Sequence, residues 1–267
     1  MKKINNFYPG LRESWMLFGV FIVSSIIGAT PMSLIKSISP MWESWSFFVG
    51  YILSFVLVYA FILIYTYNTH DGDVTSPDFS KTRVNIYVFL ILLFIVPCLS
   101  ILSEFFISWI PVPEWFESVM KNAVKMNFAS FLTVVVAAPI LEEWLCRGII
   151  LRGLLRQGSP WRAIVWSAAI FAIMHLNPWQ AVPAFVLGIL FGWIYWKTRS
   201  LWLCIFMHVV NNGFSFLLMF LYPGAMDTKD AAGNFYTLIL LVSLLLIFVL
   251  GYILYKGIEY NKNNTTV

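Results

Sequence analysis

The sequence predicts an all-α, polytopic membrane protein, a bundle of about eight transmembrane helices with both termini in the cytoplasm. Three observations predict it. Hydrophobic residues make up 60% of the 267 and charged residues only 11%, with a mean hydropathy of +0.80; soluble domains carry about 25% charged residues. Apolar runs of about 20 residues, the length that crosses a bilayer, recur along the chain. Lys and Arg are split unevenly between the loops. Lys36, Lys121, Lys125 and Lys229 fall on one side, Arg147 falls within a span, and the remaining twelve of the 17 fall on the other side. Basic residues accumulate in cytoplasmic loops, so this split fixes the orientation and fits an even number of spans. The net charge of +4 therefore reports topology and gives no sign of a nucleic-acid partner.

Taken in order, the spans are 15–35, 44–67, 84–110, 126–152, 160–176, 178–198, 201–221 and 236–255. The first follows Lys2 and Lys3 after a mixed polar stretch, and its length exceeds the roughly 7–15 apolar residues of a cleaved signal. It reads as a retained span. His70 and the Asp71-Gly72-Asp73 turn with Pro77 belong to a loop. Residues 113–125 mix apolar and charged side chains and suit an interfacial helix. In the fourth span Pro139 cannot donate a backbone hydrogen bond, which predicts a kink and a free carbonyl on Val135. Ser159-Pro160 and Asn177-Pro178 pair a capping residue with a proline at the first helical position, and Ser200 can cap the seventh span. Gly188 and Gly192 form a G-x-x-x-G pair that suits close helix packing. Cys98, Cys146 and Cys204 lie in apolar runs without zinc-type spacing and read as small buried hydrophobes. Short connections favour one compact membrane unit, divisible into N-terminal spans 1–125, a core 126–221, and a last span with a polar tail, 222–267.

The fourth span holds the anomaly. Glu142, Glu143 and Arg147 lie within six residues at membrane depth, where each ionised group costs at least about 2.5–3.5 kcal/mol. Glu143 and Arg147 are four apart, share a helix face and can pair. Glu142 points about 100° away and must find other partners. An α-helical rise of about 1.5 Å per residue, counted from the nearest cytoplasmic basic residue, puts Glu142 about 15 Å deep. The same count gives about 19–20 Å for His175, about 13–14 Å for His208 and about 19–20 Å for Asn212. All four therefore fall in one slab near the midplane, on three spans, with His208 and Asn212 on one face.

Such a set suits acid–base chemistry on water. A carboxylate and an imidazole can take a proton from a water molecule and return it to a leaving group, while histidine and asparagine can donate to an oxyanion. No serine or cysteine nucleophile stands beside a base: Ser167 lies well below His175, and Cys146 is one turn from Glu142. Hydrolysis of a peptide bond by water is the reading that fits. The same Glu142, His175 and His208 could instead hold Zn²⁺ with a fourth position open to water, although no H-E-x-x-H motif is present.

The residues Glu142-Glu143-x-x-x-Arg147, Phe171-x-x-x-His175 and His208-x-x-x-Asn212 resemble the three motifs of the CPBP family of intramembrane proteases, also called Abi, which comprises CAAX prenyl endopeptidases and bacterial relatives. The resemblance covers about 137–213 and leaves the first three spans untouched. It implies an endopeptidase of eight helices in a bacterial plasma membrane, acting on a membrane-associated or lipid-modified peptide. It implies that Glu142 and His175 activate water and that His208 and Asn212 stabilise the oxyanion. Glu143 and Arg147 would be structural, and Phe171 would pack below the site. Two other readings use the same buried set. A proton-coupled transporter would need alternating openings, usually from inverted repeats, and no repeat is found. A non-catalytic scaffold, for instance in bacteriocin immunity, would keep the residues without the reaction.

Overall fold

The computed structural model of the chain describes residues 8–39, 42–69, 84–116, 118, 125–223 and 228–264, and every regular element among them is helical. Helix α1 is Leu11–Ile38, α2 is Glu43–Thr69 and α3 is Ile86–Ile107. The fourth helix, α4, is a composite running from Phe128 to Leu154. It begins with one α turn, Phe128–Phe131, and enters a π-helical stretch, Leu132–Ala137. It returns to α over Ala138–Glu143, widens again to π over Trp144–Leu151 and closes on Arg152–Leu154. Then come α5, Pro160–Ile173, α6, Pro178–Thr198, and α7, Leu201–Leu221. A turn at Thr228–Ala232 and a 3₁₀ turn at Gly233–Phe235 lead into α8, Tyr236–Asn264.

Six of these helices, α1 to α3 and α6 to α8, are long and apolar enough to cross a membrane. The other two expected spans are the composite α4 and the apolar α5, which has 14 residues. The chain is an integral, multi-pass, all-α membrane protein. Its outer surface agrees with this: Leu241, Leu245 and Phe248 of α8 and Ile26 of α1 stand exposed, as lipid-facing side chains do. Residues 1–7 and 265–267, on which the termini fall, lie outside the described residues. So do His70 and the turn at Asp71, Asp73 and Pro77. The segment 113–125 is helical at 114–116, while 117 and 119–124 lie outside the described residues.

The boundaries follow local chemistry. Asn177 caps α6 by accepting from the backbone N–H of Gln180 at 2.9 Å, and Ser200 caps α7 by accepting from Leu203 at 3.4 Å. Ser159 occupies the capping position of α5 with Pro160 at its first turn, but its side chain makes no cap hydrogen bond. Helix α5 also ends three residues before the expected 176. Its 14 residues extend about 21 Å, short of a hydrocarbon core of about 30 Å. His175 therefore sits in a turn rather than on the helix, ahead of Leu176 in the left-handed region at φ 57°. Irregular backbone at membrane depth is tolerated where protein buries it or where it lines a wet cavity.

Helices α1 and α2 pack as a pair, as do α5 and α6, while α3 lies against α6, α7 and α8. Close approach needs glycine at particular points. A Cβ on Gly188 would meet Ala168 Cβ at 3.0 Å, and one on Gly192 would meet Ile164 Cγ2 at 3.0 Å, so the G-x-x-x-G face of α6 does seat α5. Gly50 of α2 sits against Gly28 of α1, where a Cβ on either would run into the other's carbonyl oxygen.

Candidate active site

The π register of α4 shapes the site. Ala138 N–H bonds to Thr133 O, a step of five residues. The next step would join residue 139 to Val134 O, and Pro139 has no N–H to give. The orphaned carbonyl is therefore Val134, not the Val135 that an α-helical ladder implies. Asn212 of α7 supplies the missing donor, its Nδ2 lying 2.8 Å from Val134 O. Asn212 Oδ1 in turn accepts from Asn211 Nδ2 at 3.0 Å. Wider π turns also advance less per residue, so Glu142 lies closer to Arg152 than an α rise suggests.

One turn further along α4, three buried charged or titratable groups share one oxygen. Arg147 Nη1 donates to Glu143 Oε1 at 2.8 Å, with both side chains fully buried. His208 Nδ1 donates to the same Oε1 at 2.9 Å, since an ionised carboxylate only accepts. Arg147 Nη2 reaches Gly188 O on α6 at 3.1 Å, and the guanidinium carbon stands 4.5 Å from the ring centre of Phe171 and 5.3 Å from that of Phe191. Gly188 O and His208 satisfy part of this buried pair, while Glu143 Oε2 and Arg147 Nε are buried without a hydrogen-bond partner among the described residues. The Glu143–Arg147 pair expected from spacing is present, and it also ties α4 to α6 and α7.

Glu142 is turned elsewhere, as its position one residue away requires. Its side chain is 16% exposed. Oε1 accepts from Tyr51 Oη of α2 at 2.5 Å, and Oε2 lies 3.9 Å from His208 Nε2. That separation is too long for a direct hydrogen bond. A water at about 2.8 Å from both atoms fits at the apex of a triangle on them. His175 reaches the group through Phe171. Its Nδ1 donates to Phe171 O at 3.0 Å, and its ring packs edge-on to the Phe171 ring at 5.2 Å, while His208 packs edge-on to the same ring at 5.5 Å. Asn177 Nδ2 holds the His175 carbonyl at 2.8 Å.

The structure thus joins Glu142, Glu143, Arg147, Phe171 and His208 directly. His175 joins them across one phenyl ring, and Asn212, one turn beyond His208 on α7, bonds to the π stretch of α4. Among the described residues no hydrogen bond links His175 to Glu142. The expected Zn²⁺ set of Glu142, His175 and His208 does not fit as placed: among the described residues no three His, Cys, Asp or Glu side chains are grouped to hold a metal ion. Both histidines are engaged at Nδ1, which leaves Nε2 on each for a reacting partner. Neither competing nucleophile is freed: Ser167 Oγ donates to Cys146 O at 2.9 Å, and Cys146 Sγ is buried against Met174 Sδ at 3.7 Å.

The span that forms α2 is expected, but spacing does not reveal its contacts with the site. Tyr59 Oη donates to Leu141 O at 2.8 Å and its ring stacks on Trp144 at 3.9 Å, so α2 touches α4 on both sides of Glu142. The one trace in the sequence is the stripe Tyr51, Phe55, Tyr59 at intervals of four.

Carboxylates, imidazoles and an amide gathered on converging helices define a polytopic all-α membrane protein with a polar cluster in its helical core. The comparisons with known proteins narrow that class. Residues 124–214 match the family described as type II CAAX prenyl endopeptidase Rce1-like, and every motif residue named above falls inside them. The match supports the CPBP resemblance for this segment. The chain is 29% identical over 115 residues to the membrane-embedded CAAX protease MroQ of Staphylococcus aureus (strain USA300), covering 40% of this chain and 45% of that protein. It is 32% identical over 79 residues to a Bacillus subtilis (strain 168) protein whose name assigns it as a membrane peptidase, YdiL, covering 30% and 32%. The matched stretches span less than half the length of these curated relatives. No solved structure matches the chain.

Proposed function

We propose that the chain is an intramembrane endopeptidase that hydrolyses a peptide bond of a membrane-associated or lipid-modified substrate with water activated by Glu142 and His175. The observation that carries this reading is the division of Glu142: one oxygen is held by Tyr51, and the other stands 3.9 Å from His208 Nε2, a separation that one water can bridge. In the proposed reaction Glu142 Oε2 takes a proton as the water oxygen bonds to the scissile carbonyl carbon. In this reading His175, whose Nε2 is not used by the Phe171 contact, is the second group that acts on the water. The carbonyl becomes an oxyanion, which receives the second N–H of Asn212 Nδ2 and a proton donor at His208 Nε2. The Nδ1 proton of His208 is committed to Glu143, so donation from Nε2 requires the imidazolium, charge-balanced by Glu143 and Glu142. When the oxyanion collapses, the carbon–nitrogen bond breaks and the proton held by Glu142 passes to the leaving amine.

The core 126–221 would carry this reaction, with 1–125 supplying α2 as a wall and 222–267 adding α8. The description of the matched family as a prenyl endopeptidase supports a lipid-modified peptide as the substrate class. The test is a comparison of membrane peptides from cells carrying the wild type and cells carrying Glu142→Ala at equal protein levels. Shortened C-terminal peptides present only with the wild type support the reading; identical peptide sets contradict it.

A further inference from the structure

We propose that Tyr51 of α2 is a positioning residue for Glu142, holding Oε1 so that Oε2 is the oxygen that takes the proton of water. The inference rests on the hydrolytic reading above and concerns a helix that carries none of the motif residues. Three contacts fix the geometry. Tyr51 Oη donates to Glu142 Oε1 at 2.5 Å. Tyr59, two turns on, donates to Leu141 O at 2.8 Å and stacks on Trp144. Between them Phe55, fully buried, packs against both tyrosine rings at 5.3 and 6.3 Å. Residues four and eight apart share a helix face, so one stripe of α2 grips Leu141, Glu142 and Trp144.

The grip is itself anchored. Gly50, next to Tyr51, lies against Gly28 of α1 with no room for a Cβ, so α2 cannot slide away from α1 without opening that contact. A glutamate side chain left alone has three rotatable bonds and two equivalent oxygens. Donation from Tyr51 removes both freedoms: it selects one rotamer and distinguishes the oxygens, and a phenol donating to an ionised carboxylate is among the stronger neutral-to-charged contacts. Orientation of this kind acts on the chemical step more than on substrate binding.

The test uses the full-length protein in detergent or proteoliposomes. The infrared difference between the wild type and Glu142→Gln isolates the Glu142 carboxylate band. Tyr51→Phe, which keeps the ring contacts with Phe47 and Phe55, is expected to shift that band, whereas Tyr59→Phe leaves it in place. With a synthetic peptide spanning a cleavage site from the membrane-peptide comparison, Tyr51→Phe is expected to lower kcat about 10- to 100-fold with KM within about twofold. A band unmoved by Tyr51→Phe overturns the proposal. So does a kcat within about twofold of wild type when Glu142→Gln is inactive, and in that case the hydrolytic reading survives. Cleavage by Glu142→Gln at the wild-type rate removes that reading and the proposal together.

Discussion

His208 Nδ1 and Arg147 Nη1 meet on one atom, Glu143 Oε1, at 2.9 and 2.8 Å. Glu143 is thus the joint between α4 and α7 as well as the partner of the arginine. Glu143→Ala strands a buried guanidinium and removes the acceptor of His208. Its expected cost is about 3–5 kcal/mol, the range for breaking a buried pair from one side. Thermal or denaturant unfolding in detergent measures it. Arg147→Lys is expected to lose part of that amount, because an ammonium cannot serve Glu143 and Gly188 O together while stacking on Phe171.

Much of this was legible in the sequence, for identifiable reasons. Hydropathy reports lipid contact directly, and capping residues locate helix starts, Asn177 with Pro178 for α6 and Ser200 for α7; the bounds of both helices agree with the expected spans residue for residue. Intervals of four gave the Glu143–Arg147 pair and the common face of His208 and Asn212. One miss arises because local rules assume an α register. Pro139 frees a carbonyl in any register, but only the π turn makes it Val134 and so gives Asn212 a structural partner. The end of α5 before His175 was hidden because the apolar run continues through Met174. Tyr51 and Tyr59 carry no charge and sit in an apolar run, so composition could not set them apart from lipid-facing aromatics.

Asn212 has two duties on this account. Asn212→Ala removes the donor to Val134 O, with an expected stability loss of about 1–3 kcal/mol for an unsatisfied buried carbonyl. It also removes a donor to the oxyanion, for which a further loss of about 10²–10³-fold in kcat is expected. Unfolding and cleavage assays on one preparation separate the two. A stability loss with unchanged kcat would leave Asn212 a purely structural residue.

The two glycines of α6 are expected to differ. An added Cβ at Gly188 meets the rigid Cβ of Ala168 at 3.0 Å and Arg147 Nη2 at 3.3 Å, whereas at Gly192 it meets the rotatable Ile164 side chain. Gly188→Ala should therefore cost about 1–3 kcal/mol and disturb the Arg147–Gly188 contact. Gly192→Ala should cost less. Melting temperatures of the two variants check the order.

Water activation by Glu142 and His175 predicts cleavage that survives a strong chelator. Loss of activity on chelation, with recovery on Zn²⁺ alone, would show that Glu142, His175 and His208 draw together around a metal in the working enzyme. Activity before and after chelation, alongside metal content by mass spectrometry, decides between the two.

The central claim is that Glu142 takes the proton of the attacking water. The most direct measurement is the rate of peptide cleavage by purified Glu142→Gln in proteoliposomes, beside wild type of matched melting temperature. The substitution keeps an oxygen for Tyr51 and nearly the same volume, and removes only the proton acceptor. The account predicts a fall of about 10²–10⁴-fold, the usual contribution of a general base. Cleavage by the glutamine variant at the wild-type rate would contradict it.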